Sequence, residues 1–213
     1  MSPDNQIGTR RARGAPGCAR RGKGEGQVMN GLVTVLRAAD ATARWHVNQR
    51  RKGAAQEPYV THLLEVAMLV AEATAGADPN LIVAALLHDT IEDQGVTREE
   101  IAAQFNDDVA DLVVEVTDDK KLPKAERKDL QIKNAPKLTP RAKTLKFADK
   151  ISNLRSLATS PPAEWPMQRR IDYVIWTTKV VQGLRGASGL LEQEFDRAAA
   201  DAERTIPLAA EGG

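Results

Sequence analysis

The seven apolar residues Leu81-Ile82-Val83-Ala84-Ala85-Leu86-Leu87 constrain this chain more than any other stretch. Asp78 before Pro79 reads as a helix N-cap followed by proline at the first helical position, so the run is predicted to be a helix. With apolar side chains on every face, that helix belongs in the protein interior. It leads directly into His88-Asp89-Thr90-Ile91-Glu92-Asp93. An imidazole and a carboxylate at the end of a buried helix carry a desolvation cost, which hydrogen bonds, an opposite charge or a metal ion must offset. If the helix runs one more turn, Glu92 and Asp93 share the face of Asp89.

Candidate partners for His88 and Asp89 occur at two other helix boundaries. His62 follows Pro58-Tyr59 at the start of a second apolar helix, with Leu63-Leu64 and then residues 66–70. Thr139-Pro140 repeats the cap-and-proline signature. Downstream of it, Asp149 interrupts the apolar series Leu145, Phe147, Ala148, Ile151 and Leu154, and Asn153 falls one turn later on the same face. His62, His88, Asp89 and Asp149 thus form a candidate N2O2 ligand set. The single cysteine, Cys18, is far from all four, which favours a catalytic over a structural metal centre. Nitrogen and carboxylate ligands admit Mn, Fe, Co or Zn.

Four segments, in order, carry a resemblance: Tyr59-Val60-Thr61-His62, residues 84–93, Val116-Thr117-Asp118-Asp119-Lys120, and residues 147–155. Over about residues 30–185 the chain resembles the HD-domain alarmone hydrolases. Within them it is most similar to the stand-alone small hydrolases of the Mesh1 type and to the hydrolase half of the bifunctional Rel/Spo enzymes. The resemblance implies an all-α HD-domain helical bundle, one Mn ion held by His62, His88, Asp89 and Asp149, and Glu92 and Asp93 as catalytic residues. It also implies nucleotide contacts from Arg51 and Lys52, from Lys124 and Arg127 with the diphosphates, and from Asn153, Arg169 and Tyr173. The implied reaction is hydrolysis of the 3′-diphosphate of ppGpp or pppGpp to GDP or GTP and pyrophosphate. The alternatives are (p)ppApp, the 2′-phosphate of NADPH, or a nucleotide sensor without catalysis. Leu63 stands where many family members have proline.

The remaining stretches read as scaffold. Residues 1–28 are rich in Gly and Arg, cannot bury a core, and read as a disordered basic tail or as sequence upstream of a start at Met29. Residues 29–48 form an amphipathic helical pattern, with His46 near its end facing solvent or substrate. Residues 117–133 read as a charged surface loop, Thr97-Arg98-Glu99-Glu100 as a capping box, and residues 187–204 as a closing helix before a frayed end at 206–213. Trp165 and Trp176 share a helical stripe with Arg169 and Tyr173 and read as packing. The length suits a single domain over 29–205, and a net charge of +1 speaks against a dedicated nucleic-acid binder. No apolar run approaches the roughly 20 residues of a membrane span. With no disulfide framework, a cytoplasmic protein is expected, and the sequence leaves its oligomeric state open.

Overall fold

The structure is a computed structural model that describes residues 23–206. Among them are ten α-helices, no strand, and one isolated antiparallel bridge between Arg50 and Pro58. The helices are α1 (Lys23–Trp45), α2 (Val60–Ala73), α3 (Pro79–Leu87), α4 (Thr90–Gln94), α5 (Arg98–Gln104), α6 (Asp107–Val116), α7 (Lys124–Asn134), α8 (Pro140–Thr159), α9 (Met167–Gln182) and α10 (Gly189–Thr205), with a 3-10 turn at Ala135–Lys137. The all-α expectation holds. None of these helices is long and apolar enough to cross a membrane. Residues 1–22 and 207–213 lie outside the described residues, and with them most of the expected basic tail. Helix α1 begins six residues before Met29.

The apolar run forms α3, buried along its whole length from Leu81 to Leu87 and flanked by α1, α2 and α6. Its cap is the expected one, Asp78 Oδ1 accepting from the Leu81 amide at 3.1 Å. The capping box at Thr97 and Glu100 and the Thr139 cap on Ala142 also form. Helix α8 is the second central element. Its buried face, from Ala142 to Leu157, meets α2 and α6 and is closed by α10, where Phe147 and Phe195 pack edge to face with ring centroids 6.0 Å apart.

One condition is settled and two expectations are corrected. The helix does not continue through His88: α3 stops at Leu87, and α4 starts at Thr90 with Asp89 as its N-cap residue. The turn keeps one helical bond, from the Asp93 amide to the Asp89 carbonyl at 2.8 Å, so the register of the acids survives the break. Residues 124–134 are a helix, not a loop. They carry good helix formers but no fully buried side chain, so no apolar period announces them. His46 is only 2% exposed, because its ring stacks on Tyr59 with centroids 5.4 Å apart.

Phe147 and Phe195 anchor the α8–α10 contact with no solvent access. Phe147→Ala should therefore cost about 3–5 kcal/mol. Urea unfolding should show a lower midpoint with an unchanged slope.

Candidate metal centre and nucleotide cavity

The start of α2, the end of α3 and the middle of α8 converge on one point. Helix α2 supplies His62 in its first turn, the α3–α4 break supplies His88 and Asp89, and the middle of α8 supplies Asp149. Ligand atoms of His62, His88 and Asp149 lie within 4.8 Å of one another. His62 Nε2 is 3.5 Å from Asp149 Oδ1 and 3.6 Å from Asp89 Oδ2. His88 Nε2 is 3.2 Å from Asp89 Oδ2 and 3.9 Å from Asp149 Oδ1. Ligands at about 2.1 Å from one ion stand roughly 3.0–3.4 Å apart, so this spacing suits a common cation. His88 Nε2 is moreover buried without a hydrogen-bond partner, as an aimed but unused donor atom would be. His62, His88 and Asp149 can hold a metal ion, and Asp89 Oδ2 stands beside both imidazole nitrogens.

Each group of the cluster is oriented from outside it. His88 Nδ1 lies 2.8 Å from the Ala85 carbonyl, and His62 Nδ1 lies 2.8 Å from Ser152 Oγ. Tyr59 donates its hydroxyl to Asp89 Oδ2 at 2.6 Å. Asp149 splits its oxygens: Oδ2 faces Lys150 Nζ at 3.0 Å, while Oδ1 accepts from Asn153 Nδ2 at 2.5 Å and faces the imidazoles. Burial pushes the His88 imidazole down, but the Asp89 and Asp149 carboxylates outweigh it and lift it to about 9. Burial alone dominates at His62, whose imidazole is pushed below its ordinary value. Burial opposes ionisation of Asp89 and Asp149, yet the cations beside them, His88 and Lys150 foremost, hold both well below the usual carboxylate range. Lys150 is likewise lifted to about 12 by Asp149 against the penalty of burial.

A cavity of about 480 Å³ opens above this cluster. The expected residues Glu92, Asp93, Lys52, Lys124, Arg127, Asn153, Arg169 and Tyr173 all line it together with His88, Asp89 and Asp149. Arg51 lines the adjoining recess with Tyr59, Trp165 and Tyr173, and both of its terminal nitrogens reach Asn153 Oδ1 at 3.3 Å. The Arg50–Pro58 bridge and the bond from the Arg51 amide to the Glu57 carbonyl at 2.9 Å pin the loop that carries Arg51 and Lys52. Gly53 sits directly against the end of α8, where an added Cβ would stand 2.2 Å from the Ser160 carbonyl oxygen.

The two acids differ in surroundings. Asp93 receives Gln49 Nε2 at 2.7 Å on Oδ2 and Lys120 Nζ at 2.6 Å on Oδ1. Glu92 has only Arg127 Nη1 at 3.4 Å and a distant Lys120. Burial, then the charges of Asp89 and Asp118, raise the Glu92 carboxyl above its ordinary value. On the facing wall, burial and the neighbouring cations Arg169, Lys52 and Arg127 lower the Lys124 ammonium. A wall that crowds like charges in this way is complementary to a polyanion.

Several groups at the site were missed by sequence reasoning. Lys128 and Lys150 each place Nζ over the Trp176 ring, 4.7 and 4.8 Å from its centroid, and Arg169 stacks on Trp165 at 4.4 Å. Both tryptophans therefore pack and also hold cations at the cavity, a correction to the packing-only assignment. Lys150 had a legible signal, a lysine inside the apolar series of α8. Gln49 and Ser152 had none, because their partners are 44 and 90 residues away.

Comparison with known proteins agrees with this architecture. Residues 38–177 match the HD domain family. A Xenopus tropicalis protein named guanosine-3′,5′-bis(diphosphate) 3′-pyrophosphohydrolase MESH1 is 46% identical over 162 residues, covering 76% of this chain and 90% of that protein. The human protein of the same name is 45% identical over 159 residues, covering 75% and 89%. A solved structure described as a metazoan ortholog of SpoT that hydrolyzes ppGpp superposes with a TM-score of 0.76 at 40% identity, covering 82% of this chain and 97% of that one. The match covers α2 to α8 and runs into α9, and the chain belongs to the HD domain family.

Proposed function

We propose that this chain is a metal-dependent pyrophosphohydrolase that removes the 3′-diphosphate of ppGpp or pppGpp, giving GDP or GTP and pyrophosphate. One observation carries the proposal: a cluster able to hold a cation forms the floor of a cavity whose wall presents Lys52, Lys124, Arg127, Lys128, Lys150 and Arg169. That wall suits a substrate with several phosphates, and the relatives named for this reaction match most of the chain.

His62, His88, Asp89 and Asp149 would hold the ion, for which manganese is proposed from the resemblance to the alarmone hydrolases. When bound, a divalent cation lowers the pKa of a water and draws electron density from a phosphate oxygen. Asp93, oriented by the Gln49 amide and Lys120, takes the proton of the attacking water. Glu92, whose carboxyl is raised, gives a proton to the ribose 3′ oxygen as its bond to phosphorus breaks. Lys124, Arg127 and Arg169 orient the phosphates. Arg51, Tyr173 and Asn153 line the recess for the purine and ribose.

Pyrophosphate release should be measured with Mn-loaded protein offered ppGpp, ppApp and NADPH in parallel. Release from ppGpp that is lost in Asp149→Ala is the expected result. Preference for another substrate would move the specificity, and a protein that binds ppGpp without turning it over would overturn the hydrolase reading.

His88 holds a proton up to about 9, and an incoming cation must expel it. Metal uptake should therefore release protons and weaken as pH falls below that value. Calorimetry in buffers of different ionisation enthalpy reads both effects, and uptake indifferent to pH would remove His88 from the ligand set.

Gly53→Ala should push the Arg51–Lys52 loop off α8. Steady-state kinetics should show KM rising by about tenfold with a smaller change in kcat, since the loop binds substrate remote from the breaking bond.

A further inference from the structure

The metal reading requires His62 to present an unprotonated Nε2 to the cluster, so the tautomer of this ring decides whether the centre can form. We propose that Glu65, one turn after His62 on α2, is a positioning residue that fixes this tautomer through Ser152; the role rests on His62 being a ligand as read above.

A count of hydrogens carries the inference. Ser152 Oγ lies 2.8 Å from His62 Nδ1 and 2.7 Å from Glu65 Oε2. A carboxylate has no hydrogen to give and the hydroxyl has one, so Ser152 donates to Glu65 and its oxygen accepts from His62 Nδ1–H. Ser152 is 1% and His62 2% exposed, so solvent does not relax this assignment. Nε2 is then bare, facing the Asp149 and Asp89 oxygens.

The same carboxylate is oriented by a cation. Arg155 Nη1 donates to Glu65 Oε1 at 2.9 Å, and its Nη2 donates to Glu194 Oε2 on α10 at 2.7 Å. Whatever stands at position 65 must therefore turn an acceptor towards Arg155. The other imidazole is set differently: His88 Nδ1 bonds the Ala85 backbone carbonyl. One ring is thus positioned by the main chain, the other by a side-chain relay that joins α2, α8 and α10.

The relay has a sharp consequence. In Glu65→Gln, the amide oxygen faces Arg155 and its NH2 faces Ser152. Ser152 then receives a hydrogen from the amide and gives its own to His62 Nδ1. The imidazole proton moves to Nε2, from which a cation must displace it before that nitrogen can ligate. In Glu65→Gln combined with Arg155→Met, the amide is free to turn its oxygen to Ser152, and the original tautomer returns. A purely structural ion pair predicts the opposite order, with the double variant worse than the single one.

Long-range proton–nitrogen correlation spectra of the metal-free protein distinguish the two tautomers, and three histidines make the spectrum assignable. The unaltered protein and the double variant should show Nδ1–H at His62, and Glu65→Gln should show Nε2–H. Chelator competition should find Mn affinity about 10–100-fold weaker in Glu65→Gln and recovered in the double variant. An unchanged tautomer and affinity in Glu65→Gln, or a double variant that binds no better than the single, would overturn the proposal. Failure of the unaltered protein to take up Mn would instead overturn the functional reading, while the spectra would still decide the role of Glu65.

Discussion

Three buried ionisable groups with a partly buried carboxylate beside them are the constraint on which the rest of the structure depends. His62, His88 and Asp149 are each under 10% exposed, and Asp89 completes the group beside them. Buried charge is tolerated only when it is compensated from several directions at once. Three elements supply that compensation: the Ala85 carbonyl from α3, the Tyr59 hydroxyl at the entry to α2, and Ser152, Asn153 and Lys150 from α8. The apolar lengths of α2, α3 and α8 hold these groups in register, because a shift of one residue along any of them would carry a ligand into the core.

The charges outside the cluster are arranged by sign. The acids of α4 stand next to the reacting centre, and the cations come from the loop before α2 and from α7, α8 and α9. In the free protein Lys120 and Arg127 rest on Asp93 and Glu92. The same cations that balance these acids also line the cavity, so an anion entering it meets cations already shared with carboxylates. Trp165 and Trp176 keep Arg169, Lys128 and Lys150 pointed inward while lowering the entropy that long basic side chains would lose on binding.

Much of the fold and the heart of the candidate site were legible in the sequence because they are written locally. The Asp78-Pro79 and Thr139-Pro140 caps, the unbroken apolar run of α3 and the carboxylate inside the α8 series need no tertiary knowledge to be seen. The supporting groups were not legible for the opposite reason. Gln49 meets Asp93, and Glu65 meets Ser152, across gaps of 44 and 87 residues, and neither pair leaves a pattern within a sequence window. His46 looks like any histidine at a helix end until Tyr59 folds over it. Helix α7 escaped notice because amphipathic period is the usual sign of a helix, and one held at the surface by charge and backbone propensity lacks that sign.

That surface helix gives the cavity an uneven wall. Helices α2, α3 and α8 cannot move without exposing core, whereas α7 has no fully buried side chain and meets α9 through the Lys128 carbonyl, which accepts from Trp176 Nε1, and the Lys128 ammonium over the Tyr173 and Trp176 rings. Lifting α7 would uncover the half-buried Ile132 and break the Arg127–Glu92 and Gln131–Asp118 bonds, whereas lifting α3 would open the core itself. The cavity thus pairs a floor set in the core with a wall set at the surface, and a substitution in the first disturbs packing where one in the second disturbs mainly charge.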